Sequence, residues 1–148
     1  MDLETVVLEP EHMTKLMEAA SQPLASMSGM LGRAYFSPGS SAYCLLVDGV
    51  PVFAGGIVNL EWHRGEAWIL PTPFFLAHWK TCFRIMKKML PQIAVDHGFV
   101  RVQAVAANGV PVSLFEHLGF VYEGKLKCFG PLGEDCRMYA RIFGNNGR

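Results

Sequence analysis

Glu61 and His63 place a carboxylate and an imidazole two positions apart at the end of a strand-like run. Either group can act as a general base when it lies within hydrogen-bond reach of the reacting group and its pKa matches the working pH. Side chains of both types also stand at strand ends simply because they are solvated there. The sequence therefore offers Glu61 and His63 as candidate bases, with solvation as the alternative.

Asn108 and Ser113 lie in a second segment that could do chemistry, NGVPVSLFEHLGF at residues 108–120. The Asn108 amide can donate a hydrogen bond to a ligand carbonyl, and the Ser113 hydroxyl can contact a phosphate. Asn before Gly is equally typical of a turn or cap, and a helical Ser most often faces solvent. The sequence leaves both interpretations of each residue open.

Four basic side chains share one face of a helical segment: Lys80, Arg84, Lys87 and Lys88. They could bind phosphates or a nucleic acid, but such a stripe usually forms the solvated face of an amphipathic helix. The whole chain has 13 basic and 13 acidic residues. A neutral chain gives no electrostatic reason to expect a nucleic acid or a membrane as partner, and we expect neither.

The cysteines predict no metal site. Cys44, Cys82, Cys128 and Cys136 are dispersed, without a histidine at ligand spacing. Each lies in an apolar pattern, which indicates a reduced and buried side chain.

The start of the chain, MDLETVVLEPEH, is acidic where a secretory signal needs basic residues followed by an apolar run. No apolar stretch is long enough to span a membrane. A chain of 148 residues fits one domain. We therefore expect a single cytoplasmic domain over residues 1–148.

The strands that position these residues are delimited by turns. Asp48-Gly49 lies between two β-rich runs and predicts a hairpin, because both residues tolerate positive φ. A second turn is predicted at residues 63–65, before a strand at 66–70. Residues 99–107 are almost all small or apolar, which predicts a strand buried on both faces. A strand near the start of the chain and two near its end complete the set.

The helices are predicted from apolar residues at helical spacing. The main amphipathic helix has five of them at i, i+3, i+4, i+7 and i+11: Trp79, Cys82, Phe83, Met86 and Leu90. Thr72-Pro73 is typical of a cap and a first helical residue, so a short turn should precede this helix. Pro91 should kink or restart it. Other helices are predicted after Pro10, over 24–35 and within 108–120.

This element order contains one strand–helix–strand crossover, which should place residues 66–70 and 99–107 side by side and parallel. The remaining strand connections indicate antiparallel neighbours. The predicted fold is α+β: a mixed, mostly antiparallel sheet of about seven strands with one central parallel pair and helices on both faces, an α/β three-layer arrangement.

The order of elements and the ending A-x-N-G-x-P-x-S-L-F-E-H-L-G-F-x-x-E-G resemble the GCN5-related N-acetyltransferase superfamily. The resemblance covers most of the chain by topology and residues 100–124 by motif. It implies the acyl-CoA N-acyltransferase fold. It also implies transfer of an acetyl group from acetyl-CoA to an amine.

In that superfamily the fourth and fifth strands splay apart, and the backbone of the fourth strand binds the pantetheine arm of acetyl-CoA. The resemblance assigns this arm to three residues here: Trp68, Ile69 and Leu70. It assigns a supporting hydrogen bond to the amide of Asn108.

The pyrophosphate of the cofactor would lie at the start of the following helix, where free N–H groups and the helix dipole favour an anion. His78 and Lys80 are the candidate contacts there, and Ser113 would meet the phosphate or adenosine end. Superfamily members often have glycines in the preceding loop, whereas this chain has TPFFLAHWKT.

A tyrosine in the short helix often protonates the leaving thiolate in the superfamily, as in L-Y-E-K-L-G-F. Phe115 occupies that position here and has no proton to give. Tyr122 and His117 are the candidate substitutes. Glu61 or His63 would then deprotonate the acceptor amine.

The aromatic entry W-I-L-P-T-P and the N-x-x-x-x-x-x-F-x-x-x-G ending also resemble the internal virion protein A of short-tailed phages. Two hypotheses follow. The first is an acetyltransferase acting on a small-molecule or peptide amine. The second is a catalytically inactive phage or prophage module, located in the virion with other virion proteins as partners. The sequence leaves the acceptor and a homodimeric state open.

Overall fold

The strands of the chain form a single mixed sheet in the computed structural model, which describes residues 1–19, 40–70, 72–107 and 112–144. The described elements are, in chain order, β1 (Leu3–Val7), α1 (Pro10–Ala19), β2 (Ser41–Val47), β3 (Val50–Glu61), β4 (Arg64–Leu70), α2 (Pro73–Ala77), α3 (Trp79–Asp96), β5 (Arg101–Ala107), α4 (Val112–His117), β6 (Val121–Leu126) and β7 (Cys136–Ile142). Their order across the sheet is β1-β2-β3-β4-β5-β7-β6.

The pairing of β4 with β5 is parallel, with Arg64 opposite Arg101 and Glu66 opposite Gln103. Strands β1 and β2, β2 and β3, β5 and β7, and β6 and β7 pair antiparallel. The predicted mixed α+β sheet with its crossover pair is therefore confirmed.

The chain divides into two compact units. Unit 1 comprises Met1–Asn59 and Ala67–Ile85, and unit 2 comprises Leu60–Glu66 and Met86–Arg148. A cluster of buried residues forms a core in unit 1: Leu8, Leu16, Cys44, Ala54 and Leu70.

Two tight turns connect β2 to β3 and β3 to β4. The first is the predicted Asp48-Gly49 turn, with φ of 49° and 81°. The second is formed by Trp62 and His63, with φ of 48° and 66°, so β4 begins at Arg64. The predicted turn at residues 63–65 is therefore placed one residue too late. The error arises because Trp rarely adopts positive φ, so the residue type at Trp62 gives no sign that the turn begins there.

The described helices lie where the sequence predicts them, and the kink predicted at Pro91 stays a prediction. Helix α2 follows its Thr72 cap as predicted, and α3 continues through Pro91 without restarting. Strand β5 is buried on one face only, that of Val102, Ala104 and Ala106, while the alternate residues are half-buried. The helix predicted over 24–35 lies outside the described residues.

Three of the four cysteines, Cys44, Cys82 and Cys136, are buried as predicted, whereas Cys128 is exposed. Among the described residues, no three His, Cys, Asp or Glu side chains are grouped as metal ligands.

The described helices include none that is long and apolar enough to cross a membrane.

Candidate active site

The C-terminal half of β4, assigned above to the pantetheine arm, belongs to unit 1. Leu70 is fully buried, and Trp68 packs against the same cluster. Ile69 is half-buried and points to the other face of the strand. The side chains of Trp68 and Leu70 pack in the core of unit 1. The backbone of the strand is therefore the part that could bind a ligand.

Thr72 fixes the start of α2, in the segment assigned to the phosphates. Its Oγ1 accepts a hydrogen bond from the Phe75 N–H at 3.2 Å and donates one to the Val52 carbonyl at 2.5 Å. The Thr72 carbonyl accepts from the Leu76 N–H, and the Phe74 carbonyl accepts from the His78 N–H. Three N–H groups of this segment are therefore already bonded within the protein.

A phosphate-binding loop works by presenting unbonded N–H groups and leaving room for the anion. In unit 1 that position is taken by a capped helix, and the buried Phe75 ring stacks on Phe53 with 5.2 Å between centroids. The residues of α2 do not fit a phosphate-wrapping role. The first turn of α3, with its helix dipole and Lys80, retains the chemistry for an anion.

His78 and Lys80 are both exposed at the start of α3. The His78 ring stacks on Phe74 with 4.4 Å between centroids. The Lys80 ammonium lies 5.6 Å from the centre of the Trp79 ring, within the range of a cation–π contact. Both predicted cofactor contacts thus flank the first turn of α3.

Glu61 and His63 lie in unit 2, at the turn that precedes β4. Glu61 is exposed and forms an ion pair with Arg64 at 3.6 Å. The His63 carbonyl accepts hydrogen bonds from the N–H groups of Val100 and Arg101, and its Nδ1 lies 3.2 Å from the Gly98 carbonyl oxygen. These contacts attach the turn to the start of β5. Glu61 and His63 therefore precede β4, whereas Leu70, assigned to the pantetheine arm, is the last residue of that strand.

A chain of four polar side chains crosses one face of unit 2. The Gln103 Nε2 donates to Glu66 Oε1 at 3.0 Å, and Arg101 Nε donates to Gln103 Oε1 at 3.4 Å. Arg101 also donates two hydrogen bonds to the carboxylate of Glu123, at 2.9 and 2.6 Å. These bonds hold the pKa of Glu123 below its usual range and raise that of Arg101. Glu66 is thus a half-buried carboxylate with a fixed orientation.

Helix α4 ends at Gly119, in a backbone conformation that favours glycine. Gly119 has a φ of 84°, and the Phe120 N–H donates to the Phe115 carbonyl, as in a Schellman ending. A Cβ on Gly119 would lie 3.0 Å from the guanidinium of Arg141, which itself donates to the Leu118 carbonyl. The Gly-Phe part of the family signature therefore has a purely structural cause.

Phe115 lies flat on Tyr139, with 4.2 Å between ring centroids and 3° between ring planes. Tyr122, the predicted proton donor, contacts the same ring edge-on at 5.6 Å and is half exposed. Ser113 is exposed on α4. Asn108 lies outside the described residues, so its predicted role stays a prediction.

Through its pairing with β4 and β7, strand β5 brings Glu66 and Tyr139 next to two consecutive β5 residues. Gln103 pairs with Glu66, and the next residue, Ala104, pairs with Tyr139. Successive strand residues point to opposite faces, so Glu66 and Tyr139 lie on opposite faces of unit 2. The pairing of β4 with β5 runs from Arg64 and Arg101 to Glu66 and Gln103, and both strands continue beyond it.

Sequence reasoning missed Glu66 and Tyr139. In the sequence, Glu66 is one residue of a predicted strand, and Tyr139 is one residue of the last predicted strand. One sequence feature could have identified Glu66 as a candidate: it lies in the strand predicted to pair with residues 99–107. Tyr139 carries no local signal, because its burial depends on the pairing of three strands.

No protein-family model and no curated protein matches the chain. Solved structures do match it. A GNAT-family acetyltransferase from Streptococcus pneumoniae is 15% identical with a TM-score of 0.73, covering 97% of this chain and 100% of that one. The ribosomal-protein-S18-alanine N-acetyltransferase from Escherichia coli is 14% identical with a TM-score of 0.75, covering 98% of each chain.

A further solved structure, of a putative phosphinothricin N-acetyltransferase, is 13% identical with a TM-score of 0.76 over 97% of this chain and 100% of that one. At such identities the likeness is one of fold. The chain has the acyl-CoA N-acyltransferase fold of the GCN5-related N-acetyltransferase superfamily, as the sequence predicted.

Proposed function

We propose that the chain is an N-acetyltransferase that moves the acetyl group of acetyl-CoA to an amine. The observation that carries the proposal is Glu66, a half-buried carboxylate oriented by Gln103 at the last residue pair of β4 and β5. The fold shared with solved acetyltransferases supports the same chemistry.

Glu66 serves as the general base in this proposal. The amine must lose a proton as its nitrogen attacks the thioester carbonyl, because the C–N bond forms while the C–S bond breaks. Gln103 holds Oε1 of the carboxylate, and we assign Oε2 to the amine. Glu66 takes the place of Glu61 and His63, the candidate bases of the sequence, because their contacts are with the turn and the start of β5.

The acceptor in this proposal is a primary amine of a small molecule or a peptide. The charges beside Glu66 do not select a cationic acceptor, because Arg101 and Arg64, which lies two residues before Glu66 on the same face of β4, offset the charges of Glu66 and Glu123.

The acetyl donor is proposed to lie with its pantetheine arm along the backbone of Trp68, Ile69 and Leu70, with Asn108 as a further donor. Its pyrophosphate would meet the first turn of α3 and its flanking basic groups, since α2 offers no glycine loop. Asn108→Ala should weaken binding of acetyl-CoA by about 1 kcal/mol or more, as expected for a lost hydrogen bond. An unchanged affinity would remove Asn108 from the site.

The decisive experiment combines binding and turnover. Calorimetry and thermal shift with acetyl-CoA and CoA test the donor site, and release of free CoA with a panel of primary amines tests the reaction. Glu66→Gln should lower kcat/KM by about 10²-fold or more, because the base is lost. The matched control, Glu61→Gln, should retain activity within a few-fold of the wild type.

A second function is favoured by the capped helix α2 and by Phe115, which together remove a phosphate loop and a proton donor. In this alternative the fold acts without catalysis as a structural or interaction module, including the phage virion role. Absence of both heat and thermal shift at millimolar acetyl-CoA would exclude the enzyme and support this alternative.

A further inference from the structure

The orientation of the Gln103 amide is determined at both of its ends. Its Nε2 donates to Glu66 Oε1 at 3.0 Å, and its Oε1 accepts from Arg101 Nε at 3.4 Å. A guanidinium has only donors and a carboxylate only acceptors. An amide turned by 180° would direct its oxygen at the carboxylate and its NH2 group at the guanidinium, and both hydrogen bonds would be lost. Arg101 and Glu66 therefore select the same orientation of the amide.

Arg101 is itself fixed by Glu123. Its Nη1 and Nη2 donate to the two oxygens of the Glu123 carboxylate, at 2.9 and 2.6 Å. Such a bidentate pair fixes the plane of the guanidinium as well as its position. The remaining nitrogen, Nε, is thereby directed at Gln103. Each of the three guanidinium nitrogens thus donates to a side chain.

A bulge in β6 brings Glu123 to the face of the sheet that carries Arg101. Tyr122 and Gly124 pair with two consecutive residues of β7, so Glu123 between them is an extra residue in the pairing. An extra residue of this kind changes the direction in which a strand side chain points. The Glu123 carboxylate consequently reaches Arg101 on β5, past the intervening strand β7.

We propose that Arg101, anchored by Glu123, is a positioning residue for Glu66, an inference that rests on the proposed acetyltransferase function. Arg101 acts through Gln103 and needs no contact with the amine. It fixes the amide so that Nε2 engages Oε1 of Glu66, which leaves Oε2 to accept the proton of the amine. A base must lie within hydrogen-bond reach of the proton that it removes, so loss of this orientation lowers the rate.

The first test exchanges the two charges of the pair. Arg101→Glu and Glu123→Arg each bring like charges together, so each should lower the urea midpoint of unfolding, whereas the double variant restores an ion pair and the midpoint. The double variant, however, directs a carboxylate at Gln103. The amide Nε2 then has an acceptor on either side, so kcat should stay about three- to tenfold below that of the wild type.

The double variant separates positioning from stability. A pair that only stabilised the sheet would let turnover recover together with the midpoint of unfolding. Recovery of the midpoint without recovery of kcat is the result expected of a positioning residue. Turnover is measured as release of CoA from acetyl-CoA with the most active primary amine of the panel.

The second test removes the link between Arg101 and the base. Gln103→Leu deletes both amide contacts, so kcat should fall by about tenfold with KM within about twofold of the wild type, as for a lost hydrogen bond to a charged group. Arg101→Gln should also lower kcat. The matched control is Arg64→Gln, which removes a positive charge opposite Arg101 from a side chain paired with Glu61. It should keep kcat within about twofold of the wild type.

Two outcomes would overturn the positioning role and leave the proposed function standing. They are recovery of the wild-type kcat by the double variant, and a wild-type kcat in Gln103→Leu. If the double variant does not regain the midpoint of unfolding, equal kcat values for Arg101→Gln and Arg64→Gln would overturn it instead. Wild-type protein that releases no CoA with any amine removes the proposed function and this inference together.

Discussion

The guanidinium of Arg101 on β5 reaches across β7 to donate two hydrogen bonds to the carboxylate of Glu123 on β6. The pair ties together strands that are not direct neighbours. Because β7 lies between them, the two residues report on the register of this half of the sheet.

The Arg101–Glu123 pair should make stability depend on acidity. The folded-state pKa of Glu123 is depressed by the guanidinium, so the stabilisation is complete above the unfolded pKa of about 4.3 and disappears as pH falls through the folded value. Glu123→Gln should cost about 0.5 kcal/mol at pH 7, as for a half-exposed pair, and progressively less as the pH is lowered below about 4.3. Urea unfolding over a series of pH values from 7 downward measures this.

The control for that measurement is Glu116→Gln, which removes an exposed carboxylate from α4. A difference between wild type and Glu123→Gln that stayed constant from pH 7 to the acid range would contradict the linkage to Glu123.

Removal of the Thr72 hydroxyl should destabilise the chain. Thr72→Ala uncaps α2 and leaves the Val52 carbonyl without its donor, which should lower the free energy of unfolding by about 1–3 kcal/mol. Thr72→Ser keeps the hydroxyl and should lose less than half as much. Equal losses in the two variants, measured by urea unfolding, would show that the methyl group matters more than the hydroxyl.

Truncation of Phe115 should remove the stacking partner of Tyr139. Phe115→Ala should lower the free energy of unfolding by about 2 kcal/mol, less than the roughly 3–5 kcal/mol lost at a fully buried Phe, because Phe115 is only half-buried. Phe129→Ala, at a residue that is 58% exposed, should change it by less than about 0.5 kcal/mol. A similar cost at both positions would argue against the stack as a stabilising contact.

The cysteines should react in a fixed order. Burial raises the pKa of the Cys44 and Cys82 thiols to about 11, so about one in a thousand is thiolate at pH 8. Cys136 is also buried, and its pKa is raised by that burial and by nearby acidic groups. Iodoacetamide at pH 8 should modify the exposed Cys128 first, as located by mass spectrometry. Cys128→Ser should abolish the fast phase, and a fast phase that persisted would assign reactivity to a buried thiol.

The parts of the fold that the sequence predicted are those that depend on a few adjacent residues. Asp48-Gly49 favours a tight turn and Thr72-Pro73 favours the start of a helix, each through its own residue types. The structure has the turn and the helix start at these positions. The turn at Trp62 and His63 could not be found this way. Trp rarely adopts positive φ, and Trp62 has it in a turn whose backbone is hydrogen-bonded to the start of β5 through the His63 carbonyl.

The candidate site was harder to predict than the fold for the same reason. The pairing of Glu66 with Gln103, and of Tyr139 with Ala104, follows from the register of separate strands. No local pattern specifies that register. Sequence reasoning therefore selected Glu61 and His63, whose types and spacing were conspicuous, over residues whose importance depends on long-range pairing.

The end of α4 at Gly119 affects how well the Gly-Phe sequence signature identifies active enzymes. A side chain at that position would meet the Arg141 guanidinium, and the backbone there has a positive φ. Selection for a folded protein is enough to keep such a glycine, whether or not any reaction takes place nearby. A search built on the Gly-Phe signature thus collects chains by how they stop a helix, and lineages that have lost their chemistry will be retrieved beside those that retain it.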